Sequence, residues 1–570
     1  MQDLKDKLRF GKLQRHCSEG LLPLLLAAGL IGQTGCVAPS ETRLASSEQS
    51  IVVDAPVGTL KGEALDGVTV YRGVPFALAP TGERRWVPPE PFPDWKGVRQ
   101  AEEFGPACVQ PPSRPGSIYQ WDLPSVSEDC LNLNVWVPDG AEDAPVFVWI
   151  HGGSLVTGAG SQSMYDGEKL ARESGLIVVT VNYRLGVLGY LAHPELSEES
   201  AQNISGNYGL KDQVAALKWV ERNIEAFGGN PDNVTIAGES AGALSVMFLM
   251  VSPEARGLFD KAIAESAYMV SMAPLRGSVN GHPSAESAGL EFQEKAKADS
   301  LAELRDMDAE KLVEIAGKSG FTPFGVIDDV WLTEQMPETF DKGEQAQVPI
   351  LAGFNEGEIR SLRFLLPPVP DSEDYEAAIR ASHGALADRF LDMYPADKPE
   401  VSMLATTRDA MYGWTAERLA ASQSAAGHPS YFYFFDHSYP AADKWGLRAF
   451  HAMEIPYVFG TLFDVPEPWP QAPRTDKERK LMSAMMSYWA SFARDGVPSA
   501  PGQAEWPSYG EDATGMVFAD TPKAWPGLAR SRFELHETIV CRRRADGTLQ
   551  WNWNVGIISP PLPPEVPQCN

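Results

Sequence analysis

Residues 233–244 read NVTIAGESAGAL and contain the strongest structural signal in the chain. The apolar and β-branched residues Val234 to Ala237 predict a short buried strand, and the residues from Ala241 onward predict a helix. Ser240 therefore falls on a sharp turn, with a glycine two positions away on each side. Such a strained turn exposes the serine hydroxyl at a helix N-terminus, where unpaired N–H groups favour negative charge.

The segment before this turn predicts a long amphipathic helix. Residues 209–229 read GLKDQVAALKWVERNIEAFGG, and a Gly-Gly-Asn-Pro stop occupies 228–231. One helical face would carry Leu210, Val214, Leu217, Val220, Ile224 and Phe227. Helix, strand, serine turn and helix is the order that an α/β-hydrolase uses at its nucleophile, so Ser240 is the predicted nucleophile.

Composition limits the function classes. The chain has 570 residues, a hydrophobic fraction of 44% and a formal net charge of −28. The hydrophobic fraction suits a large globular core. The strong negative charge argues against nucleic acid as a partner. No internal repeat and no linker divides the chain into independent domains.

The N-terminus predicts export. Five basic residues precede the apolar run 21–31, which is too short to span a bilayer comfortably. We expect a signal peptide over 1–35 and a polar linker over 36–50. The stretch Gln33 to Cys36 resembles a lipoprotein box, although Gln33 stands where leucine is usual. Lipidation of Cys36, with attachment to a membrane, and ordinary signal-peptidase cleavage both remain open. Either would make the protein periplasmic, an outer-membrane lipoprotein or secreted.

The remaining cysteines predict disulfides rather than a metal site. In an oxidising compartment they could pair locally, Cys108 with Cys130 and Cys541 with Cys569. Their spacing matches no pattern of metal ligands. We therefore expect no metal in this protein.

A stretch near these cysteines carries a family resemblance. Residues 127–136 read SEDCLNLNVW, and together with the upstream Gly-Pro-Ala-Cys at 105–108 they resemble the type-B carboxylesterase and cholinesterase family. In that family a disulfide closes the intervening loop at the rim of the active-site gorge, which implies the pair Cys108–Cys130. Asn182 to Gly186, NYRLG, resembles another stretch common in the family.

The resemblance extends from Ile51 to about Arg532 and implies the fold. We expect one α/β-hydrolase domain over 51–540, with a central, mostly parallel twisted sheet and helices on both faces. The charged and helical residues 280–336 suit a cap region beside the sheet. The tail over 541–570, rich in tryptophan and proline, has no functional interpretation at this level.

The resemblance also implies an oxyanion hole. A predicted strand over 146–150 leads into His-Gly-Gly-Ser at 151–154, where the family has three glycines after the histidine. The chemistry needs backbone N–H groups aimed at the substrate oxygen, and a serine can supply one as well as a glycine can. The implied donors are the N–H groups of Gly153, Ser154 and Ala241.

The acid of a catalytic triad is expected after the strand predicted at 348–353. The resemblance assigns it to Glu358. The family often has glycine directly after the acid, but Ile359 follows here. Glu356, which does precede a glycine, therefore stays as the competing assignment.

The base is expected within residues 450–460, FHAMEIPYVFG, which resemble the family's catalytic-histidine motif. His451 is preferred over His437 and His383 because its whole neighbourhood matches. The chain order Ser240, Glu358, His451 is the α/β-hydrolase order of nucleophile, acid and base.

These residues predict a serine carboxylesterase that forms an acyl-enzyme with a small-molecule ester and needs no cofactor. Trp121 lies near the position where cholinesterases stack a tryptophan on a quaternary ammonium, but an apolar pocket is the better expectation. Protonation of His451 should reduce activity with an apparent pKa of about 6 to 7. The alternatives are a catalytically silent recognition protein, or an amidase or lactonase with the same triad. The sequence does not indicate the oligomeric state.

Overall fold

The computed structural model describes residues 51–121, 123–551 and 556–569. The predicted signal peptide over 1–35, Cys36 and the linker over 36–50 lie outside the described residues. The described residues form one compact unit. Among the described helices, none has the length and apolar character that a membrane crossing requires.

The strands are numbered in chain order. They are β1 Val52–Ala55, β2 Gly58–Lys61, β3 Glu63–Leu65, β4 Val68–Pro75, β5 Val98–Gln100, β6 Ala107–Cys108, β7 Val126–Ser127, β8 Asn132–Pro138, β9 Ala144–Ile150, β10 Ile177–Val181, β11 Gly229–Glu239, β12 Lys261–Glu265, β13 Ala273–Pro274, β14 Val326–Ile327, β15 Ile350–Asn355, β16 Ser430–Phe435, β17 Gly515–Phe518 and β18 Pro522–Trp525.

Eleven of these strands form one sheet in the order β18-β17-β16-β15-β12-β11-β9-β10-β8-β4-β3. Its central strands, from β10 to β17 in that order, pair in parallel. The strands at each edge pair antiparallel. The sheet is therefore mixed, with a parallel centre, as expected.

The central strands are apolar because both faces of the sheet are covered. In β9, Val146, Val148 and Ile150 belong to one hydrophobic cluster. The alternate residues Phe147 and Trp149 belong to a second cluster on the opposite face. Successive side chains of a strand point to opposite faces, so a strand that is buried on both sides reads as a continuous apolar run.

The helices are likewise numbered in chain order. They are α1 Glu168–Ser174, α2 Gly186–Tyr190, α3 Pro194–Glu199, α4 Tyr208–Asn223, α5 Ala241–Val251, α6 Ala285–Ala296, α7 Leu301–Asp306, α8 Ala309–Ser319, α9 Met336–Lys342, α10 Glu358–Ser361, α11 Ser372–His383, α12 Ala387–Met393, α13 Pro399–Arg408, α14 Trp414–Ala425, α15 Pro440–Lys444, α16 Ile455–Phe459, α17 Asp476–Asp495 and α18 Arg530–Asp546. A π-helical turn, Asp409–Gly413, joins α13 to α14.

These helices cover both faces of the sheet. Helices α4, α5 and α14 contribute to the first cluster, and α16 and α17 contribute to the second. Helices α6, α7 and α8 lie in the predicted cap region and share a separate cluster that includes Phe292, Leu304 and Leu312. This is the α/β-hydrolase architecture that the sequence predicts.

The C-terminal region differs from the expectation of a separate tail. Helix α18 continues to Asp546, so the boundary expected at residue 541 falls inside it. Cys541 is joined to Cys569. Beyond the helix, Trp551 is fully buried and its ring lies 6.2 Å from that of Trp414. The region after 540 is therefore packed against the rest of the domain.

Candidate active site

Ser240 occupies a strained turn between β11 and α5. Its backbone has φ 56° and ψ −119°. A Cβ at Gly238 would lie 2.5 Å from the carbonyl carbon of Gly242, and a Cβ at Gly242 would lie 2.0 Å from the carbonyl oxygen of Ile150. Glycine is thus needed at both positions, since strand and helix leave no room for a side chain. The predicted turn is present in the structure.

His451 and Glu358 are in direct contact. Glu358 begins α10 just after β15, and His451 lies a few residues before α16. The His451 Nδ1 atom lies 2.5 Å from Glu358 Oε2, and the carboxylate is fully buried. Its other oxygen accepts hydrogen bonds from the Ser266 hydroxyl, at 2.6 Å, and from the Asn355 N–H, at 2.7 Å. These bonds fix the orientation of the carboxylate.

The competing acid has different partners. Glu356 lies 3.3 Å from Nε of Arg448 and 3.8 Å from the guanidinium nitrogens of Arg360 and Arg408. Its carboxylate is therefore surrounded by arginines. Of the two glutamates considered, it is Glu358 that contacts His451.

The competing histidines also have other partners. The ring of His437 lies between Glu478, at 2.9 Å, and Asp520, at 3.2 Å. His383 Nδ1 lies 2.7 Å from the hydroxyl of Ser382, its neighbour in the chain. Neither arrangement connects these rings with the turn that carries Ser240.

The contact between His451 and Ser240 is less direct than the sequence suggests. Among the described residues, no hydrogen bond joins the Ser240 hydroxyl to the imidazole. The Nε2 atom of His451 instead lies 3.1 Å from Oε1 of Glu239, the residue before the serine. The ring of Tyr412 packs against the imidazole at a centroid distance of 5.3 Å. Catalytic hydrogen bonds are often long without substrate and tighten only in the complex.

A group of buried glutamates surrounds this contact, and no sequence motif predicts this group. Besides Glu358, it contains Glu239, Glu265 and Glu454. Glu454 accepts a hydrogen bond from the Asn355 side chain, and Glu265 accepts one from the indole N–H of Trp489, at 2.8 Å. Glu239 lies in the stretch 233–244 around the serine, and Glu454 lies in the stretch 450–460 around the histidine. Their spacing along the chain does not reveal that both are buried around one imidazole.

Burial and mutual repulsion change the proton affinities of these groups. Burial raises the pKa of Glu239 to about 8 and that of Glu454 to about 7. Burial alone would lower the pKa of His451, but the charges of Glu239 and Glu358 outweigh it and raise this pKa to about 9. The structure thus places this pKa above the expected range of 6 to 7.

The segment after β9 bends tightly beside the serine. Gly153, Ser154 and Leu155 have positive φ angles of 107°, 59° and 58°. A Cβ at Gly152 would lie 2.7 Å from the carbonyl oxygen of Glu239 and 3.3 Å from Cβ of Ser240. The backbone therefore passes directly against the nucleophile turn.

The implied oxyanion donors lie at this bend and at the start of α5. Within the described part of the chain, the N–H groups of Gly153, Ser154 and Ala241 have no hydrogen-bond acceptor. Ser154 stands in place of the family's third glycine, and this residue is exposed.

The predicted disulfide closes a loop beside the histidine. Cys108 and Cys130 are bonded with an S–S distance of 2.01 Å. Within the loop, the Tyr119 hydroxyl donates a hydrogen bond to the carbonyl oxygen of His451, at 2.9 Å. Trp121 packs on Trp469 with ring centroids 6.1 Å apart. Trp121 thus has an aromatic packing partner and lies in the loop that contacts the histidine.

The described residues contain no group of three or more His, Cys, Asp or Glu side chains that could hold a metal ion.

Comparison with known proteins identifies the family. The model of the carboxylesterase family matches residues 49–525. The para-nitrobenzyl esterase of Bacillus subtilis (strain 168) is 36% identical over 479 residues, which cover 82% of this chain and 95% of that protein. The fumonisin B1 esterase of Sphingopyxis macrogoltabida is 34% identical over 525 residues, which cover 88% of this chain and 92% of that protein. The crystal structure of the Geobacillus stearothermophilus carboxylesterase EST55 superposes with a TM-score of 0.73 at 34% identity. The superposition covers 85% of this chain and 99% of that structure's chain. The chain therefore belongs to the carboxylesterase family of α/β-hydrolases and is a carboxylic ester hydrolase.

Proposed function

We propose that the enzyme cleaves carboxylic esters through an acyl-enzyme on Ser240, with His451 as the base and Glu358 as the acid of the triad. The observation that carries this proposal is the position of the imidazole. One of its nitrogens faces Glu358 at 2.5 Å, and the other faces the residue before Ser240 at 3.1 Å. The ring thus lies between the acid and the nucleophile turn.

The serine hydroxyl is a weak nucleophile at neutral pH, so it needs a base. Neutral His451 takes the hydroxyl proton as Ser240 attacks the ester carbonyl carbon, and it later delivers a proton to the leaving alcohol. Water then attacks the acyl-enzyme by the same proton transfers in reverse order. Glu358 holds the Nδ1–H tautomer and stabilises the imidazolium that forms in each step.

Negative charge develops on the carbonyl oxygen during both attacks. The N–H groups of Gly153, Ser154 and Ala241 bind this oxygen in our proposal. Removal of one such donor typically costs about 10²- to 10³-fold in kcat. The positive end of the α5 dipole lies at the same place and acts in the same direction.

Glu239 determines when His451 can accept the serine proton. Its carboxyl group has a pKa of about 8 because it is buried. Once ionised, it favours the imidazolium by its charge, so the neutral base forms only as the pH rises through the raised pKa of His451. The neutral ring can then turn toward Ser240, since hydrogen bonds between catalytic groups often tighten only when substrate binds.

We also propose that the enzyme works outside the cytoplasm. Support comes from two disulfides, Cys108–Cys130 and Cys541–Cys569, which persist in oxidising compartments. The predicted signal peptide and the lipidation of Cys36 remain proposals. Mass spectrometry of the protein purified from its producing cells would identify the first residue and any lipid on it.

The decisive experiment measures hydrolysis of p-nitrophenyl esters from acetate to palmitate by the wild type and by Ser240→Ala. We expect the substitution to lower kcat at least roughly 10⁴-fold, since the nucleophile is lost. Ser483→Ala, which removes an exposed hydroxyl on α17, is the control and should retain wild-type activity.

Other outcomes would favour the alternatives. Equal turnover by Ser240→Ala and the wild type would contradict the assignment of the nucleophile. Turnover of amides or lactones but of no ester would favour an amidase or lactonase. A folded wild type that is inactive on all three classes would favour the recognition protein.

A further inference from the structure

The C-terminal clip, defined as residues 541–551 and 556–569, is a packed part of this enzyme. It lies beyond residue 525, where the match to the family model ends. Its ends are joined by Cys541–Cys569. The buried guanidinium of Arg543 donates to the Ser559 hydroxyl at 2.6 Å, and the Leu562 N–H donates to the carbonyl oxygen of Ser382 at 2.7 Å. The clip is therefore held in one position against the domain.

Residues of the clip line two cavities. The larger cavity, of about 530 Å³, includes Ser271, His282 and Gln550 in its lining. The side chain of Gln550 lies 3.3 Å from His282 Nδ1, and His282 Nε2 lies 2.8 Å from the Ser271 hydroxyl. Gln550 lines both cavities, so the clip runs between them.

The second cavity, the apolar cavity, has a volume of about 380 Å³. The clip contributes Leu549, Ile558 and Pro560 to it, and the domain contributes Leu365 and Met411. These side chains offer apolar surface and few hydrogen-bonding groups. A cavity with such a lining suits a hydrocarbon group.

Close sequence neighbours of the histidine side of the site line the apolar cavity. Met411 belongs to the π-helical turn Asp409–Gly413, and its neighbour Tyr412 packs on the imidazole of His451 at 5.3 Å. Leu365 lies in the short 3₁₀ turn that follows α10, the helix that begins with Glu358. The turn that contacts the base, and the short turn that follows the helix of the acid, therefore both contribute to the wall of this cavity.

We propose that the C-terminal clip is a specificity-determining wall, with Leu549, Ile558 and Pro560 contacting the apolar alcohol part of the ester. This rests on the function proposed above, in which His451 delivers a proton to the leaving alcohol. The alcohol must therefore lie on the imidazole side of the scissile bond, and in our proposal it extends from there to the apolar cavity. The clip sets how long or bulky an alcohol the enzyme accepts.

The test uses two ester series with the full-length enzyme. In one series the acyl group is acetate and the alcohol runs from ethanol to octanol; in the other the alcohol is ethanol and the acyl group runs from acetate to octanoate. For Ile558→Trp, which fills the apolar cavity, we expect kcat/KM for octyl acetate to fall at least roughly tenfold, because each methylene in an apolar pocket contributes about that much. Ethyl acetate and the acyl series should change less than about twofold.

Val497→Trp is the matched control. Val497 is 50% exposed and Ile558 is 52% exposed, but Val497 lines neither cavity. The control should leave both series unchanged. If Ile558→Trp does not fold, Ile558→Ala replaces it; loss of the apolar contact should then raise KM for octyl acetate and leave ethyl acetate unchanged.

Each other outcome overturns the proposal. Unchanged profiles in a folded Ile558 variant would show that the clip does not contact the substrate. A change confined to the acyl series would assign the cavity to the acyl chain instead of the alcohol. A wild type that hydrolyses no ester in either series would overturn the underlying function itself, which distinguishes that failure from the other two.

Discussion

The segment around Ser240 and the segment around His451 differ in what fixes their geometry. Around Ser240 the determinants are steric. The turn lies between two glycines, one of which leaves no room for a Cβ beside the carbonyl oxygen of Ile150. Its strained backbone, with φ 56°, is set by the strand before it and the helix after it.

Around His451 the determinants are polar and distant in sequence. Glu358 is 93 residues away from the histidine, and the Ser266 hydroxyl that orients it is 92 residues before Glu358. The two other acidic neighbours of the imidazole, Glu239 and Glu454, come from the nucleophile turn and from the start of α16. Here hydrogen bonds and charges in a water-poor environment determine which proton each group holds.

Because of this difference, substitutions near Ser240 and substitutions near His451 should affect the protein in different ways. A change on the serine side should damage folding through lost space. A change on the histidine side should leave the fold intact and alter the rate or its pH dependence. Three substitutions test this contrast.

The largest effect is expected for Gly242→Ala. The new methyl group would lie 2.0 Å from the carbonyl oxygen of Ile150, which cannot move without disturbing β9. We expect a loss of about 3 kcal/mol or more in the free energy of unfolding, which urea denaturation followed by circular dichroism would measure. Gly317→Ala in α8 is the control, since a Cβ there meets nothing within 4 Å and alanine favours a helix. Equal stability of the two variants would refute the steric account.

A smaller effect is expected for Ser266→Ala. The substitution removes the hydroxyl that donates to Glu358 at 2.6 Å but keeps the Asn355 N–H donor. A hydrogen bond to a charged group contributes about 1.5 to 3 kcal/mol, so we expect kcat to fall roughly tenfold or more while the protein stays folded. Steady-state kinetics on p-nitrophenyl acetate would measure this. Ser491→Ala, a buried serine whose hydroxyl bonds stay within α17 and the following loop, should retain wild-type kcat.

The smallest effect is expected for Glu239→Gln and concerns pH. In the wild type, neighbouring negative charges raise the pKa of His451 above its ordinary value of 6.5. Activity needs the neutral imidazole, so it should fall as the pH drops through this raised pKa. Glutamine carries no charge, so the imidazolium loses stabilisation and its pKa falls. We expect the acid limb of kcat/KM to move about one pH unit lower, as an opposite charge at this distance shifts a pKa by about one or more.

The competing acid supplies the control for this experiment. Glu356 lies among arginines, 3.3 Å from the nearest guanidinium nitrogen, and is not in contact with the imidazole. Glu356→Gln should therefore leave the acid limb where it is in the wild type. A shift in the Glu356 variant with none in the Glu239 variant would show that the charges around His451 have been assigned incorrectly.

Much of the fold follows from sequence patterns alone. Continuous apolar runs, such as β9 and β10, are required wherever a parallel sheet is covered on both faces. Thr475 and Glu478 predict the start of a helix, and α17 begins at Asp476 with the Thr475 side chain accepting from the Glu478 N–H. Both signals are local, because the periodicity of burial and the capping of a helix depend on neighbours within a few residues.

The sequence by itself determined the nucleophile turn, the parallel centre of the sheet and the family, since short motifs encode turns and apolar runs encode burial. Only the tertiary structure decided which glutamate contacts His451 and where the C-terminal clip packs. Those outcomes depend on residues dozens to hundreds of positions apart. A carboxylate's partners and its proton affinity are set by what surrounds it in space, and the order of residues along the chain does not specify those surroundings.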